Sequence, residues 1–422
     1  MNFIKELKWR GMIHDIMPGT EDQFNDEMTT AYIGFDPTAD SLHVGSLVQI
    51  MTLVHLQKSG HKPIILVGGA TGMVGDPSGK SEERNLLDEK TLNQNLNSVK
   101  NQLQCFLDFN CGENSAEILN NFDWFKEIPF LNFIRDVGKH ISVNYMMSKD
   151  SVKSRLESGM SFTEFSYQLV QGYDFYYLWK NKNCKVQLGG SDQWGNIVTG
   201  TELIRRKSGG KAYAVTTPLI QKSDGGKFGK TESGNIWLDK NKTSPYKFYQ
   251  FWLNVSDEDA KKYIKIFTLK SKEEIEEIIK EHDQSPHLRF LQKSLADDIT
   301  IRVHSKDELE TAKQASNILF GKSTSEDLKS LDEQTFLSVF EGVPMCEISK
   351  SKLDLDIIEF LSNSTNIFSS KGEARRMIQS NAVSINKQKI NETTKLSEIK
   401  LLSEKYLVAQ KGKKNYFLII VS

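Results

Sequence analysis

Two short segments of this chain carry residue types suited to gripping a polyphosphate. The first runs Tyr32-Ile-Gly34-Phe-Asp36-Pro37-Thr-Ala-Asp-Ser-Leu-His43-Val-Gly45-Ser46, from strand-forming residues through a proline turn into the opening of a helix. An imidazole at a helix N-terminus can donate to phosphate oxygens where the peptide dipoles already favour an anion. Gly45 has no side chain, so a flat base could lie against the backbone there. The second segment, Lys227-Phe-Gly-Lys230-Thr231, comes about 180 positions later. It sets two lysines three apart on a glycine-containing loop, the makings of a mobile clamp. Each segment alone has a plain alternative: a satisfied surface histidine, and a solvated basic loop.

A third group of residues sets polar side chains on an aromatic helix. Glu164-Phe-Ser-Tyr-Gln-Leu-Val-Gln-Gly-Tyr-Asp-Phe-Tyr-Tyr predicts a helix rich in aromatics. Tyr167, Gln171 and Asp174 fall at i, i+4 and i+7 and so share one face. Polar groups on an otherwise apolar face need partners. Asp174 could accept a hydrogen bond from a phenol, and Tyr32 could supply a second. Tyr167 and Gln171 would then hold an ammonium group. The alternative is an amphipathic helix with a wet stripe.

The elements that must position these groups are those of a parallel α/β sheet. Lys62-Pro-Ile-Ile-Leu-Val reads as a strand and runs into Gly68-Gly-Ala-Thr-Gly-Met-Val-Gly-Asp76-Pro-Ser-Gly-Lys80. Cys184-Lys-Val-Gln187-Leu reads as another and ends in Gly189-Gly190-Ser-Asp192-Gln193. Strands that end in glycine and feed helices signal a parallel sheet, whose ligands sit at the carboxyl ends of the strands.

The 422 residues allow two to four domains at roughly 100–200 residues each. The expected division is 1–223, then a helical zone over 224–330 that opens with the Lys227 loop, a linker over 331–352, and a small terminal domain over 353–422. Net charge is −1, so any nucleic-acid surface must be local. Between Lys371 and Lys414 eleven Lys and Arg stand against four Glu, a local excess of seven positive charges. No apolar run approaches the ~20 residues of a membrane helix, and no leader pattern opens the chain, which points to the cytoplasm. Cys105, Cys111, Cys184 and Cys346 form no CxxC pair and are expected to be reduced and partly buried.

The two polyphosphate segments together resemble the HIGH and KMSKS signatures of class I aminoacyl-tRNA synthetases. With the blocks around Asp76 and Asp192, the match runs from Tyr32 to Thr231 and is similar to bacterial-type tyrosyl-tRNA synthetases. Departures are Ser46 at the last HIGH position, Phe-Gly for Met-Ser, and Thr231 for the last serine. The resemblance implies a Rossmann-like parallel-sheet catalytic domain, an α-helical domain and a small α+β S4 domain. It implies that His43, Gly45, Lys227, Lys230 and Thr231 act on the triphosphate, joined by Lys80 and Arg84 on a loop. Gly34, Asp36, Pro37, Ser46, Gly190 and Asp192 would line the nucleotide. Tyr32, Asp76, Tyr167, Gln171, Asp174, Gln187 and Gln193 would bind tyrosine. ATP enters as substrate, with Mg2+ accompanying it and no dedicated protein metal site.

The terminal region resembles an S4 domain, centred on Ser370-Lys371-Gly-Glu-Ala-Arg375-Arg376. Lys371, Arg375, Arg376, Lys411, Lys413 and Lys414 would meet the backbone of the tRNA for tyrosine. Relatives imply a homodimer, with no membrane partner. Three rivals stand beside this reading. A tryptophan enzyme shares the body plan, but tryptophan has no phenol for Tyr32 and Asp174. A P-loop is excluded because Gly75-Asp-Pro-Ser-Gly-Lys-Ser81 is one residue short of GxxxxGKS. A non-catalytic RNA-binding module leaves His43, Lys227 and Lys230 unexplained.

Overall fold

The computed structural model describes residues 2–76, 78, 88–149, 152–153, 159–226, 228–231, 234–320, 325–329, 331–341, 343–412 and 415–422. Its contacts gather into two compact units, Met1–Lys242 with Leu253–Val303, and Thr243–Trp252 with His304–Ser422. This division cuts through the zone expected at 224–330.

In the first unit, β1 (Asp15–Ile16), β2 (Thr30–Phe35), β3 (Lys62–Val67), β4 (Glu117–Asn120), β5 (Cys184–Gly190) and β6 (Tyr213–Thr217) form one sheet in the order β1-β6-β5-β2-β3-β4. Every neighbouring pair is parallel except β1 against β6. β3 is buried beyond its first residue, as an unbroken apolar run covered on both faces must be. The chain lays β2, β3 and β4 outward, then returns to place β5 on the other side of β2. The strand order therefore reverses between β2 and β5, and a ligand crevice opens at the carboxyl ends beside such a reversal. Tyr32 and Gln187 are register partners across that seam.

Three helices of this unit carry the argument. α1 (Leu47–Lys58) follows the His43 segment. α2 (Phe162–Lys182) is the predicted aromatic helix, capped by Ser161, whose hydroxyl accepts from the Glu164 N–H at 3.2 Å, and closed by Asn183 at φ 51. α3 (Asp257–Phe267) starts at the Ser256 cap. A short hairpin, β7 (Lys230–Thr231) with β8 (Gly234–Asn235), completes the set.

In the second unit, β9 (Met345–Ile348), β10 (Val383–Ile385), β11 (Gln388–Lys389), β12 (Tyr406–Lys411) and β13 (Asn415–Val421) form a sheet in the order β11-β10-β12-β13-β9. Its apolar face packs on Phe360, Leu361, Phe368 and on Ile378 of α4 (Lys371–Gln379). The stretch 331–352, expected to be a linker, instead holds a helix over Glu333–Val339 and the strand β9, which pairs in parallel with β13. All four cysteines are free; Cys184 is buried and Cys346 partly so, but Cys105 and Cys111 are exposed, against expectation. Among the described residues no helix is long and apolar enough to cross a membrane.

Candidate active site

Asp174 of α2 is 1% exposed. Both of its oxygens face fixed donors: Trp124 Nε1 at 2.9 Å on Oδ1, and Asn121 Nδ2 at 3.0 Å on Oδ2. Burial still drives its pKa up to about 8, against the pull of those two donors and with a smaller push from Asp36. Tyr32 is equally buried, and its hydroxyl has no hydrogen-bond partner among the described residues. Burial, then the nearby Asp174, hold its pKa well above the usual phenol value. Gln187 is buried too, with an unpartnered Oε1. An unsatisfied buried polar atom costs about 1–3 kcal/mol. A bound phenol that accepted from Tyr32 and donated to Asp174 would satisfy the Tyr32 hydroxyl.

A second acceptor cluster lies further along the same network. Asp36, one residue past β2, accepts from the Tyr167 hydroxyl at 3.0 Å on Oδ2 and from Thr71 Oγ1 at 2.7 Å on Oδ1. Gly68 permits this arrangement: a Cβ there would sit 2.1 Å from Asp36 Oδ1 and 2.3 Å from Thr71 Oγ1. Asp76 accepts from Gln193 Nε2 at 2.7 Å and from the Ser78 N–H at 2.9 Å. Burial, then Asp36 and Asp76, raise the Tyr167 pKa well above its usual value. Gln171 lies half-buried on the same helix. Anionic acceptors gathered in a buried pocket suit an ammonium group. Asp36, assigned to the nucleotide from sequence, is hydrogen-bonded to Tyr167 and Thr71 of this cluster. Thr71, Asn121 and Trp124 were not singled out from sequence. Asn121 stands one residue past β4, and a position at a strand's carboxyl end is the signal that could have found it.

The two polyphosphate segments meet. Val44 N–H donates to the Ile236 carbonyl, and Leu238 N–H to that of Leu42, each at 2.9 Å, so His43 is paired with Trp237. Gly229, at φ +76, packs so closely that a Cβ would lie 2.6 Å from Val44 Cγ2. His43 Nδ1 accepts from the Gly45 N–H at 3.0 Å. Its proton therefore sits on Nε2, which makes that nitrogen the donor. Ser46 N–H donates to the His43 carbonyl at 2.8 Å. Gly34 is exposed, with open space where a Cβ would stand, and the Pro37 carbonyl accepts from Asn95 Nδ2 at 3.0 Å. At Gly190 a Cβ would meet Asp192 Oδ1 at 2.5 Å, which places that carboxylate over the end of β5.

The second segment is anchored on α3. Phe228, standing where KMSKS has Met, lies with its ring 5.0 Å from that of Tyr263 and 5.5 Å from that of Phe267. Ser223 holds Asp259 through its N–H at 3.0 Å and its hydroxyl at 3.2 Å. Lys80, Arg84 and Lys227 lie outside the described residues, and of Lys230 and Thr231 only the backbone, in β7, is described.

In the second unit the basic face is partly self-neutralised. Lys371 pairs with Glu359, Arg375 with Glu392 at 3.2 Å, and Lys411 with Glu373 at 2.7 Å. Arg376 is exposed and makes no ion pair among the described residues. Lys413 and Lys414 lie outside them.

The profile of the class I tRNA synthetases (W and Y) matches residues 25–321, and that of the tyrosine–tRNA ligase SYY-like C-terminal domain matches residues 335–419. The tyrosine–tRNA ligase of Flavobacterium johnsoniae is 62% identical over 100% of this chain and 99% of its own length. That of Cytophaga hutchinsonii is 62% identical over 99% of each. Among solved structures, the C-terminally truncated mitochondrial tyrosyl-tRNA synthetase of Aspergillus nidulans is 33% identical, with a TM-score of 0.69 over 76% of this chain and 94% of that one.

Proposed function

The chain belongs to the tyrosine–tRNA ligases of class I, and from that premise we propose how its residues divide the work of joining tyrosine to tRNA with ATP. The observation that carries the assignment is the buried, unpartnered Tyr32 hydroxyl within the electrostatic reach of the buried Asp174 carboxyl. This pair takes the phenol, and Gln187 lines the pocket beside it. Asp36, Asp76, Tyr167, Gln171 and Gln193 take the ammonium group. Phenylalanine would leave Tyr32 and Asp174 buried without their ligand partner.

The tyrosine carboxylate then attacks the α-phosphate of ATP, forming tyrosyl-adenylate and releasing pyrophosphate. No side-chain nucleophile is needed. His43 Nε2–H, Lys230, Thr231, Lys227, Lys80 and Arg84 stabilise charge on the departing phosphates. Gly34, Pro37, Gly45, Ser46, Gly190 and Asp192 line the adenosine. Magnesium would come with the triphosphate; the nitrogen donors of this chain suit phosphate oxygens rather than that cation. The terminal ribose of tRNA takes the tyrosyl group in the second step. Lys371, Arg375, Arg376, Lys411, Lys413 and Lys414 hold the tRNA backbone, and the reaction belongs in the cytoplasm.

We also propose that two copies associate through an apolar face built from residues 125–146 and 162–170. Phe130, Val143 and Phe162 are 65%, 62% and 66% exposed around a hollow of about 640 Å³. Contiguous apolar surface of this kind marks an interface.

The direct test is amino-acid-dependent ATP–pyrophosphate exchange, run with tyrosine, tryptophan and phenylalanine. Exchange with tyrosine alone is expected. Exchange with tryptophan would overturn the pocket assignment, and no exchange at all would overturn the mechanism.

A further inference from the structure

Asn121 is fully buried, and the direction of its amide is settled by its neighbours. Its Oδ1 accepts from the Ala70 N–H at 2.7 Å, and a backbone N–H can only donate. Nδ2 must therefore point the other way, where it reaches Asp174 Oδ2 at 3.0 Å and Thr71 Oγ1 at 3.2 Å. Thr71 has one hydroxyl hydrogen, given to Asp36 Oδ1 at 2.7 Å, so its lone pair is what receives Asn121. Asp36 in turn receives Tyr167 at 3.0 Å. Every hydrogen in this chain has one assignment, from the phenol acceptor to the ammonium acceptors. Buried networks of this kind act as units, and losing one member is felt beyond its own contacts.

We propose that Thr71 and Asn121 are positioning residues that tie recognition of the phenol to recognition of the ammonium group, so that the pocket reads both ends of tyrosine jointly. The proposal rests on the tyrosine reading above. A relay through Thr71 has a signature that a purely local role lacks. Asp36 serves any amino acid, whereas Asp174 serves only one with a phenol. Loosening Asp36 alone would weaken tyrosine and phenylalanine alike. Loosening Asn121 through Thr71 would weaken tyrosine more.

The experiment is ATP–pyrophosphate exchange on the full chain as wild type, Thr71→Val and Thr71→Ser, with tyrosine and with phenylalanine. Thr71→Val is expected to shrink the preference for tyrosine by about fivefold, the loss of the one neutral bond that orients Asn121, and Thr71→Ser to restore it. Equal losses for both amino acids in Thr71→Val would overturn the proposal, as would a serine variant no better than the valine one. Should Thr71→Val fail to fold, Thr71→Ala also removes the hydroxyl and carries the same comparison. A wild type that does not respond to tyrosine would instead overturn the functional reading, a separate outcome.

Discussion

In the proposed pocket Asp174 serves the phenol only as an acceptor, and its protonation sets when it can. Its pKa stands at about 8 instead of the ordinary 3.8, chiefly through burial. Below that value the free pocket holds a carboxylic acid, which donates where the phenol needs an acceptor. Capture of tyrosine therefore strengthens as pH rises through about 8. The kcat/KM for tyrosine activation should climb with pH and level off above that point. Asp174→Asn should remove the climb and lower kcat/KM by about 10- to 100-fold, with the melting temperature showing that the fold survives. A flat profile in the wild type would contradict the assignment. For stability the sign is opposite. A carboxyl more easily protonated when folded favours the fold most at low pH, and that contribution fades as pH rises toward 8. Tyr32 and Asp174 were legible as polar groups in apolar runs. Thr71 and Asn121 were not, because threonine and asparagine beside glycines or strand ends read as turn formers. The proton position on His43 was also hidden, since it depends on an N–H two residues away.

At the scale of elements, the strands and the aromatic helix were legible because their apolar runs are long and their ends are marked. β3 matches Lys62–Val67 as predicted, and α2 ends at Asn183, just ahead of β5. What the sequence hid was the joint between the polyphosphate segments. Residues 42–44 bind 236–238, and nothing in the text of either motif names the second stretch. The support is equally remote, since Phe228 rests on Tyr263 and Phe267 of α3. Phe228→Ala should therefore lower kcat for adenylate formation by about 10-fold or more, because misplaced phosphate-binding groups lose catalysis steeply, while the KM for tyrosine changes little. Steady-state exchange kinetics at varied tyrosine separate the two. A change confined to that KM would mean the loop serves the amino-acid pocket.

At the scale of the whole molecule, the parallel α/β sheet was legible, but the strand in the stretch taken for a linker was not: β9 is a short apolar run, too brief to announce itself. Removing residues 335–422 is expected to leave tyrosine-dependent exchange intact and to abolish tRNA charging, as a gel-shift and a charging assay would show. Full charging by the truncated chain would take the RNA role away from this region. The apolar face of residues 125–146 and 162–170 makes a further claim. Phe162→Asp should halve the mass in sedimentation equilibrium, because a charge in the centre of a buried interface cannot be solvated. An unchanged mass would place the contact elsewhere.

The pairing of residues 42–44 with 236–238 also bears on how the protein comes into being. A contact across nearly two hundred residues closes slowly, and it cannot begin while half of it is unsynthesised. During translation the sheet from β2 to β6 can assemble as it emerges, tyrosine pocket included. The nucleotide half must wait until the stretch around Trp237 has cleared the ribosome. On the assignment proposed above, a growing chain would acquire its grip on the amino acid before its grip on ATP, and could not spend the one until it held the other.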